Sequence, residues 1–367
     1  DPPEYRRDGI RPPELAELNG FDPGSFPDLT PDRAGGVLLE LLRRPNIASK
    51  RGVFRQYDQQ VLGNTVVQPG GDAAVLRVDG TITGIAVTTD CNARMCYLDP
   101  YTGGAAAVAE AARNLVCAGA VPIAVTDCLN FGDPQKPEVY FQLEQSVRGI
   151  ARACERFGTP VVSGNVSLYN EAEGHAVYPT PVIGMLGFLE DVGHHLQAAF
   201  TRPDAAVFVL GSTLEQPVVS LAGSEYLETV HGRVGGMPAV DLDAEASLQA
   251  LVLALHGKGL LLSAHDCSEG GLAVTVAESC LLGATGFESE SAPAGRLDAA
   301  LFGEAQGRIV VSTRAGEQAE EALLDAAAEH SVTAARLGHT TDGKRLRLGP
   351  IDLALDDLRT AYEALLA

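Results

Sequence analysis

The chain has 367 residues, 46% of them hydrophobic and 20% charged, which suits a globular protein with room for two domains of ordinary size. A formal net charge of −21 works against non-specific binding to nucleic acid, and no uninterrupted apolar run reaches membrane length. The seven cysteines, Cys91, Cys96, Cys117, Cys128, Cys154, Cys267 and Cys280, are odd in number and lack paired CxxC spacing, which argues against a disulfide framework or a zinc site.

Residues 1 to about 30 carry Pro2, Pro3, Pro12, Pro13, Pro23 and Pro27 and read as an extended linker lying on another surface. No basic-then-apolar signal pattern opens the chain, so a cytoplasmic location is the default expectation. Thr30 ahead of Pro31, with Val37, Leu38, Leu41 and Leu42, predicts a helix ending near Pro45. Two strands are expected over 73–78 and 82–88 around Asp79-Gly80. A helix follows over 103–118 with small residues on one face, then a strand over 121–126, a helix over 137–157, a strand at Val161-Val162 and a closing strand over 182–189.

Polar residues after Asp191, including His194 and His195, mark a boundary. A second unit is then expected to alternate strand 206–210, helix 244–257, strand 260–264, helix 271–282, strand 308–312 and helix 316–330. The domain reading is a linker and helix over 1–45, an ATP- and substrate-binding domain over 46–191, and a second domain over 202–350. The segments around Tyr226 and from Phe302 to Arg308 read as turns.

The most informative segment is Ser163-Gly164-Asn165-Val166-Ser167-Leu168-Tyr169-Asn170-Glu171. A strand that opens into a glycine and short polar side chains aims backbone N–H groups at a phosphate or a metal-bound nucleotide. The strand ending in Asp127 reads as its neighbour, which puts Asp127 and Asn165 at one sheet edge, where α/β folds bind ligands. A nucleotide with a divalent metal is the expectation.

Gly70-Gly71-Asp72 and Thr88-Thr89-Asp90 bring carboxylates to loops that suit hard cations. Read alone, the first is more simply a hairpin turn. Glu110 and Asn114 lie four apart on one helix face, as metal ligands or as polar surface. The run from Ala264 through Gly270-Gly271 reads as a strand, a glycine-rich turn and a helix start, either an anion cradle or a capped helix; His265 reads as a structural histidine.

Together these segments resemble the second half of the synthetase subunit of phosphoribosylformylglycinamidine synthase, in its small form. The similarity runs from Pro45-Asn46-Ile47-Ala48-Ser49-Lys50 through Pro69 to Val75, Tyr97 to Tyr101 and Ser163 to Glu171, to His265-Asp266-Cys267-Ser268-Glu269-Gly270-Gly271-Leu272. The resemblance implies the α/β fold of the aminoimidazole ribonucleotide synthetase superfamily: an N-terminal domain that completes a barrel with a sister domain, then a C-terminal α/β domain. It also implies ATP and Mg²⁺ as cofactors in converting formylglycinamide ribonucleotide to its amidine during purine synthesis. Ammonia would come from a separate glutaminase subunit, bridged by a small accessory subunit.

By the same resemblance, Asp127 and Gly164 contact ATP, Asn165 binds Mg²⁺ and Ser167 contacts the ribonucleotide. Asp72, Glu110, Asn114 and Asp266 are similar to the metal positions of an auxiliary nucleotide site. The family's catalytic histidine lies in the other half, so this chain alone is expected to be catalytically incomplete and to need the missing N-terminal half. Two alternatives stand beside this reading. One is a free-standing homodimeric enzyme of the superfamily, although the reactive N-terminal cysteine of a selenophosphate synthetase has no counterpart before Cys91. The other is a non-catalytic nucleotide-binding scaffold.

Overall fold

The computed structural model describes residues 7–211, 217–291 and 294–365. Its helices are α1 (Glu14–Asn19), α2 (Ala34–Leu41), α3 (Arg51–Phe54), α4 (Ala93–Leu98), α5 (Pro100–Cys117), α6 (Pro137–Phe157), α7 (Glu225–His231), α8 (Leu242–Gly257), α9 (Gly271–Gly283), α10 (Leu297–Phe302), α11 (Glu317–Glu329) and α12 (Leu355–Tyr362). A six-stranded sheet has the order β1-β2-β3-β8-β4-β5. Its strands are β1 (Thr65–Val67), β2 (Ala74–Arg77), β3 (Gly84–Asp90), β4 (Val121–Asn130), β5 (Val161–Ser167) and β8 (Thr180–Leu189). The short strands β6 (Glu171–Ala172) and β7 (His175–Ala176) pair with each other between β5 and β8.

A seven-stranded sheet has the order β10-β12-β9-β13-β11-β14-β15. These are β9 (Ala205–Gly211), β10 (Leu261–Asp266), β11 (Gly286–Ser289), β12 (Arg308–Arg314), β13 (Ala334–Thr341), β14 (Arg345–Leu348) and β15 (Ile351–Ala354).

Helix α5 begins sharply because Pro100 occupies its first turn and the Asp99 carboxylate accepts from the amides of Tyr101 and Thr102. Its alanines bury against the first sheet, while α6 and α8 cover its other sides. The α5–α6 crossing is tight: a Cβ at Gly149 would run into the Tyr101 carbonyl. The small face expected in the sequence therefore serves helix contacts as well as sheet contacts. Helix α6 spans the expected 137–157 and ends on Gly158 in the left-handed region, at φ 70°.

In β3 and β8 buried and exposed residues alternate, so the first sheet has one face on α5 and α6. The opposite face carries Leu76, Ile85, Val87, Val121, Leu186 and Phe188, all exposed. Register aligns Leu76, Ile85, Phe188 and Val121 in one row across β2, β3, β8 and β4. This is an apolar sheet face that no described residue covers.

The N-terminal stretch lies on a surface of this same chain. Arg296 donates to the carbonyls of Gly24 and Phe26, Asp28 accepts from the amides of Leu297 and Asp298, and Phe26 stacks on His231 at 4.1 Å. The Tyr226 segment is a helix start rather than a turn: the Ser224 hydroxyl caps α7 by accepting from the Leu227 amide.

Candidate functional site

Two groups of predicted site residues occupy the first sheet and the cleft beside it. At the sheet edge, β4 and β5 run parallel, with Asp127 opposite Gly164, Cys128 opposite Asn165 and Asn130 opposite Ser167. A Cβ at position 164 would overlap the Asp127 carboxylate, so only glycine lets that side chain lie across β5. Burial pushes the Asp127 carboxyl up.

The Cys128 thiol is 3.4 Å from Asn165 Oδ1. Beyond Ser167, Asn170 donates to the carbonyls of Phe131 and Ser167 and pins the chain through Tyr169, which has φ 63°. Strain of that kind in a non-glycine residue persists where the surroundings hold it. The expected placement of Asp127 and Asn165 at one sheet edge is what the fold shows.

The second group lines a cleft of about 860 Å³ between the two sheets' domains. Asp72, Glu110 and Asn114 all face it, together with Asp90, Glu269 and His265. Asn114 donates to Asp90 at 2.7 Å, so the i, i+4 pair on α5 belongs to this cleft rather than to a solvated surface. Asp72 accepts from His265 Nδ1 at 3.0 Å and from the Asp266 amide at 2.9 Å. His265 also reaches Glu278 at 3.2 Å. Burial opposes a charge on this imidazole, but Asp72 and Glu278 outweigh it and hold its pKa well above the usual range.

Asp266 itself turns away from the cleft. Its carboxylate accepts from Arg113 Nε at 2.7 Å, and Arg113, wholly buried, also donates to Glu245 and to Gln306. In the glycine-rich turn the Gly270 amide donates to Glu304 Oε1 at 2.8 Å and the Gly271 amide to the Ser268 carbonyl, so both glycine amides are already paired.

The cleft is acidic within and basic at its wall. Burial, with Asp266 and Glu269 adding repulsion, pushes Asp90 up to about 8 against hydrogen bonds from Thr88 and Asn114. Burial likewise raises Glu110 and Glu269. Lys50, Arg51 and Arg359 line the cleft from the 46–51 segment and α12. Burial lowers the Lys50 ammonium, with Glu278, Glu269 and Glu225 opposing that shift.

The all-oxygen donors suit Mg²⁺ in type. As held, no three His, Cys, Asp or Glu side chains among the described residues converge at metal-binding distance. The reason is visible in the pairings, since Asp266 is taken by Arg113 and Asp72 by His265.

Register relates the two groups. Asp90, Ile183 and Asp127 are successive partners across β3, β8 and β4. The edge carboxylate and the cleft carboxylate therefore share one row of the sheet, two strand spacings or about 10 Å apart. Glu269, Glu278, Arg113 and Glu304 were missed in the sequence. Only the resemblance singled out Asp266 itself within that glycine-rich run, and no local pattern announces a pairing with Arg113, which lies 153 residues away.

Comparison with known proteins accords with this architecture. Residues 70–189 match the AIR synthase related protein N-terminal domain, and residues 202–350 match the C-terminal domain of the same family. The chain is 50% identical over 363 residues to phosphoribosylformylglycinamidine synthase subunit PurL of Thermomicrobium roseum, covering 97% of this chain and 48% of the relative. It is 46% identical to that of Deinococcus radiodurans, covering 98% and 50%.

The chain thus spans about half the length of the curated relatives it matches. Among solved structures, T. maritima PurL complexed with ATP superposes with a TM-score of 0.67 at 17% identity, covering 88% of this chain and 51% of that one. T. maritima PurL complexed with FGAR gives 0.69 at 17%, covering 88% and 52%. The structure of tt0281 from Thermus thermophilus gives 0.60 at 20%, covering 84% and 99%. With both domain descriptions matched in order, the chain belongs to the AIR synthase related family.

Proposed function

We propose that this chain is the second half of a phosphoribosylformylglycinamidine synthase synthetase subunit and works only against a first half. The observation that carries the reading is the bare apolar face of the six-stranded sheet. The row Leu76, Ile85, Phe188 and Val121 is a surface that globular proteins cover, and a sister sheet packed on it would close a barrel. The half-length match to the PurL relatives supports the same arrangement.

In this reading the β4–β5 edge completes the partner half's active centre. Asp127 and the Gly164 backbone bind ATP, Asn165 helps hold Mg²⁺ and Ser167 hydrogen-bonds the ribonucleotide. When bound, Mg²⁺ offsets negative charge on the transferred phosphoryl group. The reaction phosphorylates the amide oxygen of formylglycinamide ribonucleotide, and ammonia then displaces phosphate to leave the amidine. Asp127 sits at a fixed height because Gly164 lets it lie flat, and Asn170 fixes the turn that carries Ser167.

The cleft holding Asp72, Glu110 and Asn114 is proposed as an auxiliary nucleotide site, with Asp266 as a structural anchor through Arg113. A residue range of 46–191 for the first domain, a glutaminase subunit and a small accessory subunit as partners, and a cytoplasmic location complete the reading. No helix among the described residues is long and apolar enough to cross a membrane.

The test is amidine formation from ATP, Mg²⁺, formylglycinamide ribonucleotide and ammonia, with this chain alone and after adding the first half of a PurL relative. Activity only on complementation is the expected result. Turnover by the isolated chain as a homodimer would sink it, and the whole-length match to tt0281 makes that the outcome to watch.

A further inference from the structure

The two parts of the proposed β4–β5 site stand on different supports. Asp127 and Gly164 face each other within the parallel ladder, and the ladder itself fixes their separation. Ser167 is the last residue of β5, and beyond it the chain leaves the ladder, passes through Tyr169 at φ 63° and enters the β6–β7 hairpin. The course of that turn depends on contacts with the 131–136 segment. The Tyr169 amide donates to the Gly132 carbonyl at 3.0 Å and the Asn170 amide to the Phe131 carbonyl at 3.1 Å. Asn170 in turn meets the Ser167 hydroxyl, with Nδ2 at 3.2 Å and Oδ1 at 3.3 Å.

Glu171, the next residue, closes the turn from outside. Its Oε1 accepts from the Asp133 amide at 3.1 Å and from Lys136 Nζ at 2.8 Å, and its Oε2 accepts from the same ammonium at 2.9 Å. Lys136 is the N-cap of α6, a 21-residue helix packed on α5, so the ammonium is carried on a rigid element. At Gly132 a Cβ would fall 2.6 Å from that of Ala176 and 3.2 Å from Glu171 Oε1, so the hairpin base sits directly on the loop it is tied to. An ion pair this exposed adds little to stability, and its effect lies in where it holds the chain.

We infer that Glu171 is a positioning residue for the ribonucleotide: tied to Lys136 and the Asp133 amide, it holds Asn170 against the Ser167 hydroxyl and so sets affinity for that substrate and not for ATP. The inference rests on the synthetase reading. Asp127 and Gly164 are held by the ladder whether or not the tie is made, whereas the Ser167 hydroxyl meets a side chain that the tie holds in place.

The test is steady-state kinetics of this chain complemented by the first half of a PurL relative, with the ribonucleotide and ATP varied separately. Glu171→Ala should raise KM for the ribonucleotide at least about fivefold and leave kcat and KM for ATP within about twofold. Glu171→Gln still accepts from the Asp133 amide and should recover most of the loss. Lys136→Ala removes the tie from its other end, should repeat the split, and stands in for a Glu171 variant that fails to fold. In the isolated chain, Glu171→Ala should quicken hydrogen exchange at the Tyr169 and Asn170 amides and leave exchange along β4 unchanged. An unchanged ribonucleotide KM, an equal rise in KM for ATP, or unchanged exchange in the turn overturns the inference and leaves the reading standing. A complemented wild-type chain without activity overturns the reading, and with it any part for Glu171 in substrate affinity.

Discussion

Gly164 lies directly across the β4–β5 ladder from Asp127, and the space a methyl group would take at 164 is filled by the Asp127 carboxylate. Replacing Gly164 with Ala must displace that carboxylate or push β5 outward. Strand β5 is an exposed edge, so the stability cost should be only about 1 kcal/mol. Activity of the complemented synthetase should fall far more, by at least tenfold. A normal rate in Gly164→Ala with a shifted melting temperature would remove Asp127 from the proposed ATP site.

Arg113 compensates two buried carboxylates at once, Glu245 and Asp266. Arg113→Met leaves both without a counter-charge and should destabilise the chain by about 3–5 kcal/mol. Arg113→Lys should recover only part of that, because a single ammonium cannot copy the fork that reaches Asp266, Glu245 and Gln306 together. Urea denaturation of the two variants separates charge from geometry, and equal stability of Lys and Arg would refute the geometric part.

Burial, opposed by Arg94 and reinforced by Glu269, pushes Glu304 up to about 8 from an ordinary 4.5. Between those values the folded chain keeps a proton that the unfolded chain has lost, so stability falls as pH rises through the window. Asp90, raised from 3.8 to about 8, acts in the same direction. The melting temperature should therefore drop from pH 6 to pH 8.5. Glu304→Gln still accepts from the amides of Glu225 and Gly270 and should flatten the slope. An unchanged slope in that variant would show that Glu304 does not titrate there.

Phe188 is 38% exposed in the middle of the bare sheet face. Phe188→Glu should change the isolated chain's stability by less than about 1 kcal/mol while abolishing complementation by the first half. Unimpaired complementation, followed by gel filtration and activity, would move the partner to another surface.

Much of the fold was legible because periodicity and punctuation agree locally. The 137–157 helix has Pro137 at its start and Gly158 at its end, and both boundaries hold. Strands β11, β14 and β15 escaped because each is four residues long and depends on partners from elsewhere in the chain. The resemblance grouped Asp72, Glu110, Asn114 and Asp266, and the first three of them line one cleft. The sequence could not reveal the Asp266–Arg113 pair, the His265–Glu278 contact or the role of Glu304, since long-range ion pairs impose no spacing on their neighbours.

Glu225 accepts from Arg44 at 2.9 Å, Asn46 at 2.8 Å and Arg94 at 2.6 Å, and its amide donates to Glu304. Three segments far apart in the chain, around residues 44–46, 94 and 225, thus meet on one carboxylate with almost no access to water. A protease cut in the 190–204 connection would consequently yield a nicked molecule that stays together, because parting the fragments strands several charges at a dry seam. Arg94 ties the first domain to this carboxylate and Arg113 ties it to Glu245 and Asp266, so buried charge holds the joint at two points.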